Sequence, residues 1–243
     1  MKFPTRILAG TAIVVAVLLA IPFLLPLGFL IPEIERVASQ QLKSPVKVDA
    51  LRLVILPLPH LTLTGISVGK KPFLEVREVV VTPSLASVFD QPRVISEVSL
   101  RGVVIGQALI AKASNWAGRS SGTGPAPVRI EHIEVRDAFV DLTGLKLREV
   151  EADLDLTAQG AIARGELRAD SGHMTVSFVP AGKGFAVQIS GYDWKLPVGP
   201  PLLLSSLTAT GALNPLLGFS LQPIQGQAYG GTITGQLAAG PTP

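Results

Sequence analysis

Histidines and paired carboxylates are the side chains of this chain that could hold a metal or move a proton. The chain has three histidines, His60, His132 and His173, and no cysteine. A protein zinc site draws histidines or cysteines from short, fixed spacings, and no two of these histidines lie within eight residues of each other. Each histidine is therefore interpreted as structural, and neither a metal site nor a cofactor is predicted.

The acidic run "EADLD" places Glu151, Asp153 and Asp155 at alternate positions. A catalytic carboxylate pair needs one member with a raised pKa, whereas alternation along a strand puts all three on one solvated face. The serines lack a GxSxG setting, and "SGTG" lacks the remainder of a phosphate-binding loop. No catalytic residue is predicted, and the chain is not expected to be an enzyme.

Two-residue alternation of apolar and polar side chains dominates the chain after residue 43 and predicts β-strands. Besides the apolar stretch 51–69, the runs are 73–81, 93–100, 129–142, 145–156, 173–179, 185–189, 202–211, 218–224 and 231–237. Several runs change phase partway, which usually marks a bulge. Linkers are short, so neighbouring strands should pair antiparallel. The expected fold is all-β: an antiparallel meander of about thirteen strands, curled into a half-pipe or closed as a sandwich.

Other segments precede and interrupt this β region, which is expected to span 44–243. Residues 1–32 contain 26 uncharged residues from Ile7 to Pro32, about 39 Å of helix, enough to cross a bilayer. Residues 33–43 have helical apolar spacing and predict a short amphipathic helix. Residues 114–127, "SNWAGRSSGTGPAP", predict a flexible loop that divides the β region into two lobes.

The charged residues that flank the apolar run indicate the orientation of the chain in a membrane, and the overall charge argues against nucleic acid as a partner. Lys2 and Arg6 precede the apolar run, and Glu33 and Glu35 follow it. The positive-inside rule places the N-terminus in the cytoplasm and the β region outside, as in a single-pass protein. The net charge is only +3, and no basic cluster is dense enough to bind nucleic acid.

The stretch "LRLVILPLPHLTLTGISVG", residues 51–69, raises the question of what covers so much apolar strand surface. This stretch is followed along the chain by "FLEVREVVVTPSLASVF", the Asn115-Trp116 pair, "VRIEHIEVRDAFVDL" and "AYGGTITGQL". Segments of this kind in this order resemble the AsmA family of Gram-negative envelope proteins. That resemblance implies an inner-membrane anchor, a periplasmic β domain and an apolar groove for phospholipid, used in outer-membrane biogenesis. Ala138 stands where the family usually has glycine, and the chain is much shorter than the larger members.

Candidate residues for the lining of the groove come from the strands nearest the predicted anchor, where lipid would enter. The predicted lining residues are Leu61, Leu63, Val79, Val81, Val98 and Leu100, chosen by alternation alone. Membrane lipid would be the ligand, and an envelope protein could be a partner, with no oligomeric state indicated. The alternative function is a structural adaptor similar to the type II secretion N component, which would bind protein rather than lipid.

The retained anchor has a direct test. If residues 7–32 span the inner membrane, the protein should stay in the membrane pellet after carbonate washing, because a spanning apolar helix is not extracted by high pH. N-terminal sequencing should find a chain that begins at or near Met1. A mature chain that begins near residue 21 would show instead that the segment is a cleaved signal peptide.

Overall fold

The computed structural model describes residues 27–55, 58–87, 93–107, 128–142, 145–196, 202–214 and 218–240. Within them, one α-helix, α1 (Ile31–Leu42), precedes twelve strands that form one sheet. The strands are β1 (Val46–Val54), β2 (His60–Val68), β3 (Leu74–Pro83), β4 (Arg93–Gly106), β5 (Val128–Leu142), β6 (Leu145–Leu156), β7 (Ile162–Ala169), β8 (Met174–Ala181), β9 (Gly184–Lys195), β10 (Leu203–Asn214), β11 (Gly218–Ala228) and β12 (Gly231–Ala239). Short 3₁₀ turns lie at Leu27–Leu30 and Leu85–Ser87.

The strands follow one another in the sheet in the order of the sequence, and each neighbouring pair but one is antiparallel. The exception is β4 and β5, which run parallel from Arg93 beside Val128 to Gly106 beside Asp141. The expectation of antiparallel neighbours is therefore wrong at this pair. The chain has twenty-one residues, 107–127, between these strands, enough for the long connection that a parallel pair requires.

The predicted loop at 114–127 falls in that connection and lies outside the described residues. The strands before and after it belong to the same sheet, since β4 pairs directly with β5. The sheet is open, because β1 and β12 each have one neighbour among the described strands. Of the two expected forms, the described residues therefore do not form the closed sandwich.

The phase changes in the strand pattern coincide with residues in the left-handed backbone region. Gly65 in β2, Gly102 in β4, Asp137 in β5 and Glu149 in β6 have φ values of 64°, 62°, 54° and 49°. Their registered neighbours place them along one line that runs from β2 to β6. Each inserts one residue into the alternation, so that the apolar side chains on both sides of the line share a face.

Helix α1 confirms the predicted amphipathic helix and begins two residues earlier than expected. Pro32 lies in the first turn of the helix. The residue after the helix, Lys43, is its C-cap and has a left-handed backbone with φ 48°. Among the described residues, none of the helices is long and apolar enough to cross a membrane. The predicted anchor falls largely on residues before Leu27, which lie outside the described part of the chain.

Strand β7 is not among the runs named from the sequence. Its positions on the apolar side of the sheet include Gly165 and Ala169, which are too small to give a strong alternating signal. A Cβ atom on Gly165 would lie 2.2 Å from the ring of Phe178. The small residue therefore makes room for an aromatic ring on the neighbouring strand.

Gly102→Ala tests the line of left-handed residues. The substitution should lower the free energy of unfolding by about 1–2 kcal/mol, because an L side chain resists this backbone conformation. The new Cβ would also lie 2.8 Å from Cζ of Arg77. Gly106→Ala, in the same strand, is the matched control, since its φ lies outside the left-handed region and its Cβ would meet nothing closer than 3.5 Å, and should change stability by less than about 0.5 kcal/mol. Equal effects in urea unfolding would contradict the prediction.

Candidate functional site

Two rows of apolar residues cross the whole sheet, one residue from each strand. Side chains of registered residues on neighbouring strands lie on the same face. The first row is Leu51, Leu63, Val79, Leu100, Val135, Ala152, Leu167, Val176, Ile189, Ala209, Ile224 and Gly235. The second row is Leu53, Leu61, Val81, Val98, Ile133, Leu154, Gly165, Phe178, Val187, Gly211, Leu221 and Leu237.

All six residues predicted from alternation lie in these two rows. Leu63, Val79 and Leu100 are registered neighbours in the first row. Leu61, Val81 and Val98 are registered neighbours in the second. The structure therefore brings the six together on one face near α1, as predicted, and extends the same face far beyond them. Their role in lipid binding stays a prediction.

The opposite face carries polar side chains at the intervening positions. One row there is Arg52, Thr62, Val80, Ser99, Glu134, Asp153, Glu166, Ser177, Gln188 and Thr210. Val80 is its one apolar member. The sheet is thus amphipathic over its length, and the two apolar rows belong to a surface that we call the apolar face.

The apolar face is wider than two rows on its α1 side. Beyond the left-handed line, Val76, Val103, Ala138 and Val150 form a buried cluster, and the first-row side chains Val79, Leu100 and Val135 pack against it. These contacts show that the two sets share one face.

Most of the apolar face keeps contact with solvent. Apart from Leu51, Gly165 and Ala209, every member of the two rows is partly or well exposed, with Leu61 at 36% and Leu237 at 50%. None of the large side chains described is fully buried. Two parts of the face are better buried. At β1–β3, α1 places Ile31, Ala38 and Leu42 against a small cluster that includes Phe73. The buried cluster that begins with Val76 and Val103 continues along β7 to β10 with Ala169, Met174, Trp194 and Leu204. No second layer of described residues covers the remainder.

The polar face is organised by ion pairs across β5, β6 and β7. Nη2 of Arg136 lies 2.6 Å from Glu134 and 3.0 Å from Asp153, and Arg168 lies 2.7 Å from Glu166. The acidic run "EADLD" therefore lies on the solvated face, as predicted. Its carboxylates are partners of arginines, and they do not form an isolated acid–base pair.

The histidines also behave as structural side chains. Nδ1 of His132 lies 2.8 Å from Oδ1 of Asp155. His60 and His173 each place Nδ1 within 3.0 Å of a backbone carbonyl oxygen, that of Leu58 or of Tyr192. Within the described ranges, no group of three or more histidine, aspartate or glutamate side chains is arranged to hold a metal ion.

Comparisons of the chain with protein-family models, with curated proteins and with solved structures give no significant match. The interpretation of the apolar face therefore depends on its own geometry and on the sequence resemblance.

Asp155 provides a pH test of the polar face. The hydrogen bond with His132 and the interaction with Arg164 lower the pKa of Asp155 below its usual 3.8. A lowered folded-state pKa stabilises the protein above the usual pKa, and this contribution is lost as the pH falls through the lowered value. The stability difference between wild type and Asp155→Asn should therefore be largest at pH 5 and shrink towards about pH 2.

Urea unfolding at a series of pH values between these limits measures that difference. Glu75→Gln is the control, because Glu75 is exposed and makes no ion pair within the described residues. Its stability difference should stay small at every pH. A difference for Asp155→Asn that does not vary with pH would contradict the assigned pairing.

Proposed function

We propose that this chain is a non-enzymatic lipid-handling protein that binds acyl chains of membrane phospholipid on the apolar face. The observation that carries the proposal is the pair of apolar rows that crosses all twelve strands without a charged residue. A protein core needs apolar residues only where another layer covers them. Here the apolar side chains continue across an open sheet and keep much of their surface exposed.

Acyl chains are the ligand that fits such a surface, because they offer no hydrogen-bonding groups and can follow a long strip. Covering apolar surface stabilises by about 25 cal/mol per Å², and a contiguous apolar strip of this length is otherwise an aggregation hazard. Twelve strands at about 4.8 Å each give a strip of nearly 60 Å before twisting shortens it. In the proposed bound form the sheet curls into a half-pipe around the lipid.

The expected location follows from the sequence and agrees with this chemistry. The resemblance to the AsmA family, the apolar run at 7–32 and the charges that flank it suggest a bacterial inner-membrane anchor with the sheet in the periplasm. Helix α1 packs beside β1, so that β1–β3 are the strands closest to the proposed anchor. We infer that lipid enters the apolar face at this end, and that outer-membrane biogenesis is the process served.

Site-specific photo-crosslinking tests the lipid directly. A photoreactive amino acid replaces Val79, on the apolar face, or its neighbour Val80, on the polar face. After irradiation in cells, mass spectrometry should find phospholipid adducts at position 79 at least about tenfold above position 80, because adjacent residues of a strand face opposite sides. The pair shares one strand and one distance from the membrane, so that nonspecific bilayer contact affects both.

The same experiment distinguishes the adaptor function. Adducts with another protein at position 79, with no lipid, would favour a structural adaptor of the type II secretion N kind. Equal lipid labelling at both positions would show that the sheet merely lies near a membrane and would overturn the proposal.

A further inference from the structure

The two outer edges of the sheet are chemically different. Along β1, the N–H groups of Val46 and Val48 point away from β2 and donate to side chains of α1. Val46 N lies 2.9 Å from Oγ of Ser39, and Val48 N lies 2.8 Å from Oε1 of Glu35. Helix α1 therefore occupies two of the N–H groups that another strand would need, at the start of β1, and covering an edge with a helix is a common way to protect it.

Strand β1 is also marked by charge. Lys47, Asp49 and Arg52 are exposed along its nine residues. Charged side chains on an edge strand oppose pairing with a further strand, because their desolvation and repulsion outweigh the new backbone bonds. The contact with α1 and the charged side chains together make β1 an edge that resists pairing with another strand.

Strand β12 has neither protection. All nine of its residues, "GTITGQLAA", are exposed, and none is charged or a proline. The sequence contains no Asp, Glu, Lys, Arg or His from Leu196 to Gly240. Within the described part of the chain, no strand pairs with its outer side. A long, uncharged edge of this kind is a template for strand addition.

The sequence of β12 is complementary to itself. In an antiparallel pair that overlaps all nine residues, Gly235 of one copy faces Gly235 of the other. Ile233 then faces Leu237 on the apolar side, and Thr234 faces Gln236 on the polar side. Each copy presents both members of each pair, as the two-fold symmetry of a homodimer requires. At the central positions apolar side chains meet apolar ones and polar side chains meet polar ones, and towards the ends Thr232 faces the small Ala238.

We propose that two copies of this chain associate through β12, edge to edge and antiparallel, into one continuous sheet. The two-fold axis lies between the two facing Gly235 residues and is perpendicular to the sheet. Both apolar faces therefore lie on the same side of the joined sheet. The joined sheet has the covered edge β1 at both outer ends, and growth stops at two copies. A head-to-tail array would need β1 to pair with β12, and β1 has two of its N–H groups bonded to α1 and carries three exposed charges.

Paired charges at positions 234 and 236 test both the edge and the register. Thr234→Lys with Gln236→Lys puts lysine opposite lysine twice in the dimer, and like charges directly opposite destabilise a strand pair. Thr234→Lys with Gln236→Glu puts lysine opposite glutamate twice and adds the same number of charges. Both residues are exposed on the polar side of an edge strand, so that neither double variant alters the fold of the monomer.

Analytical ultracentrifugation of the full chain in detergent gives the molar mass. Wild type and the Lys/Glu variant should be dimers, and the Lys/Lys variant should be a monomer with an unchanged circular dichroism spectrum. A Glu/Glu variant, Thr234→Glu with Gln236→Glu, should also be a monomer. Mixing the Lys/Lys and Glu/Glu monomers should restore a dimer, because every facing pair is then of opposite charge.

Three results would overturn the proposal. A monomeric wild type would show that β12 does not pair with itself, and a specific complex of that monomer with another protein would assign the edge to a different partner. Dimers of equal stability in all variants would place the interface elsewhere. A Lys/Glu variant as monomeric as Lys/Lys would show that the register is wrong. The pairing does not depend on lipid, so crosslinking at position 79 can succeed or fail separately.

Discussion

The cross-strand register is the constraint on which this architecture depends. Side chains alternate across a strand with a period of two, so that a slip of one residue would move a strand's apolar set to the solvated face. The two apolar rows remain aligned through eleven successive strand pairs, including the parallel one. Where the alternation within a strand changes phase, left-handed residues such as Gly102 and Asp137 lie at the same level of neighbouring strands, so that the pairing of β4 with β5 continues in one register. The face therefore stays apolar from one end of the sheet to the other.

The polar face reinforces that register where the chain is most easily misaligned. Strands β4 and β5 are joined through a long connection, so no tight turn sets their pairing. The hydroxyl of Ser99 in β4 donates to Glu134 in β5, and Arg136 in β5 reaches Asp153 in β6. Isolated surface ion pairs contribute little, but a network that spans three strands opposes any shift that would separate its members. Charge on one face thus helps to hold the apolar rows on the other.

The two edge strands of the sheet differ in how they are covered. At β1 a helix covers both the backbone groups of the edge and part of the apolar face. At β12 the backbone edge and the side chains are open. In the two proposals, lipid enters beside the helix and a second copy of the chain pairs at the far edge. These two properties use different groups, side chains in the first case and backbone in the second.

The sequence determined the local features of this protein. Alternation predicted the strands, the phase changes and the shared facing of Leu61, Val79 and Leu100, because the period of a strand is a local property of the chain. It missed β7, where small residues such as Gly165 stand at the apolar positions. The tertiary structure alone decided the parallel pairing of β4 with β5, the openness of the sheet and the protection of β1 by Glu35. These features depend on contacts between residues far apart in the chain and on the summed twist of many strands, which no local pattern encodes.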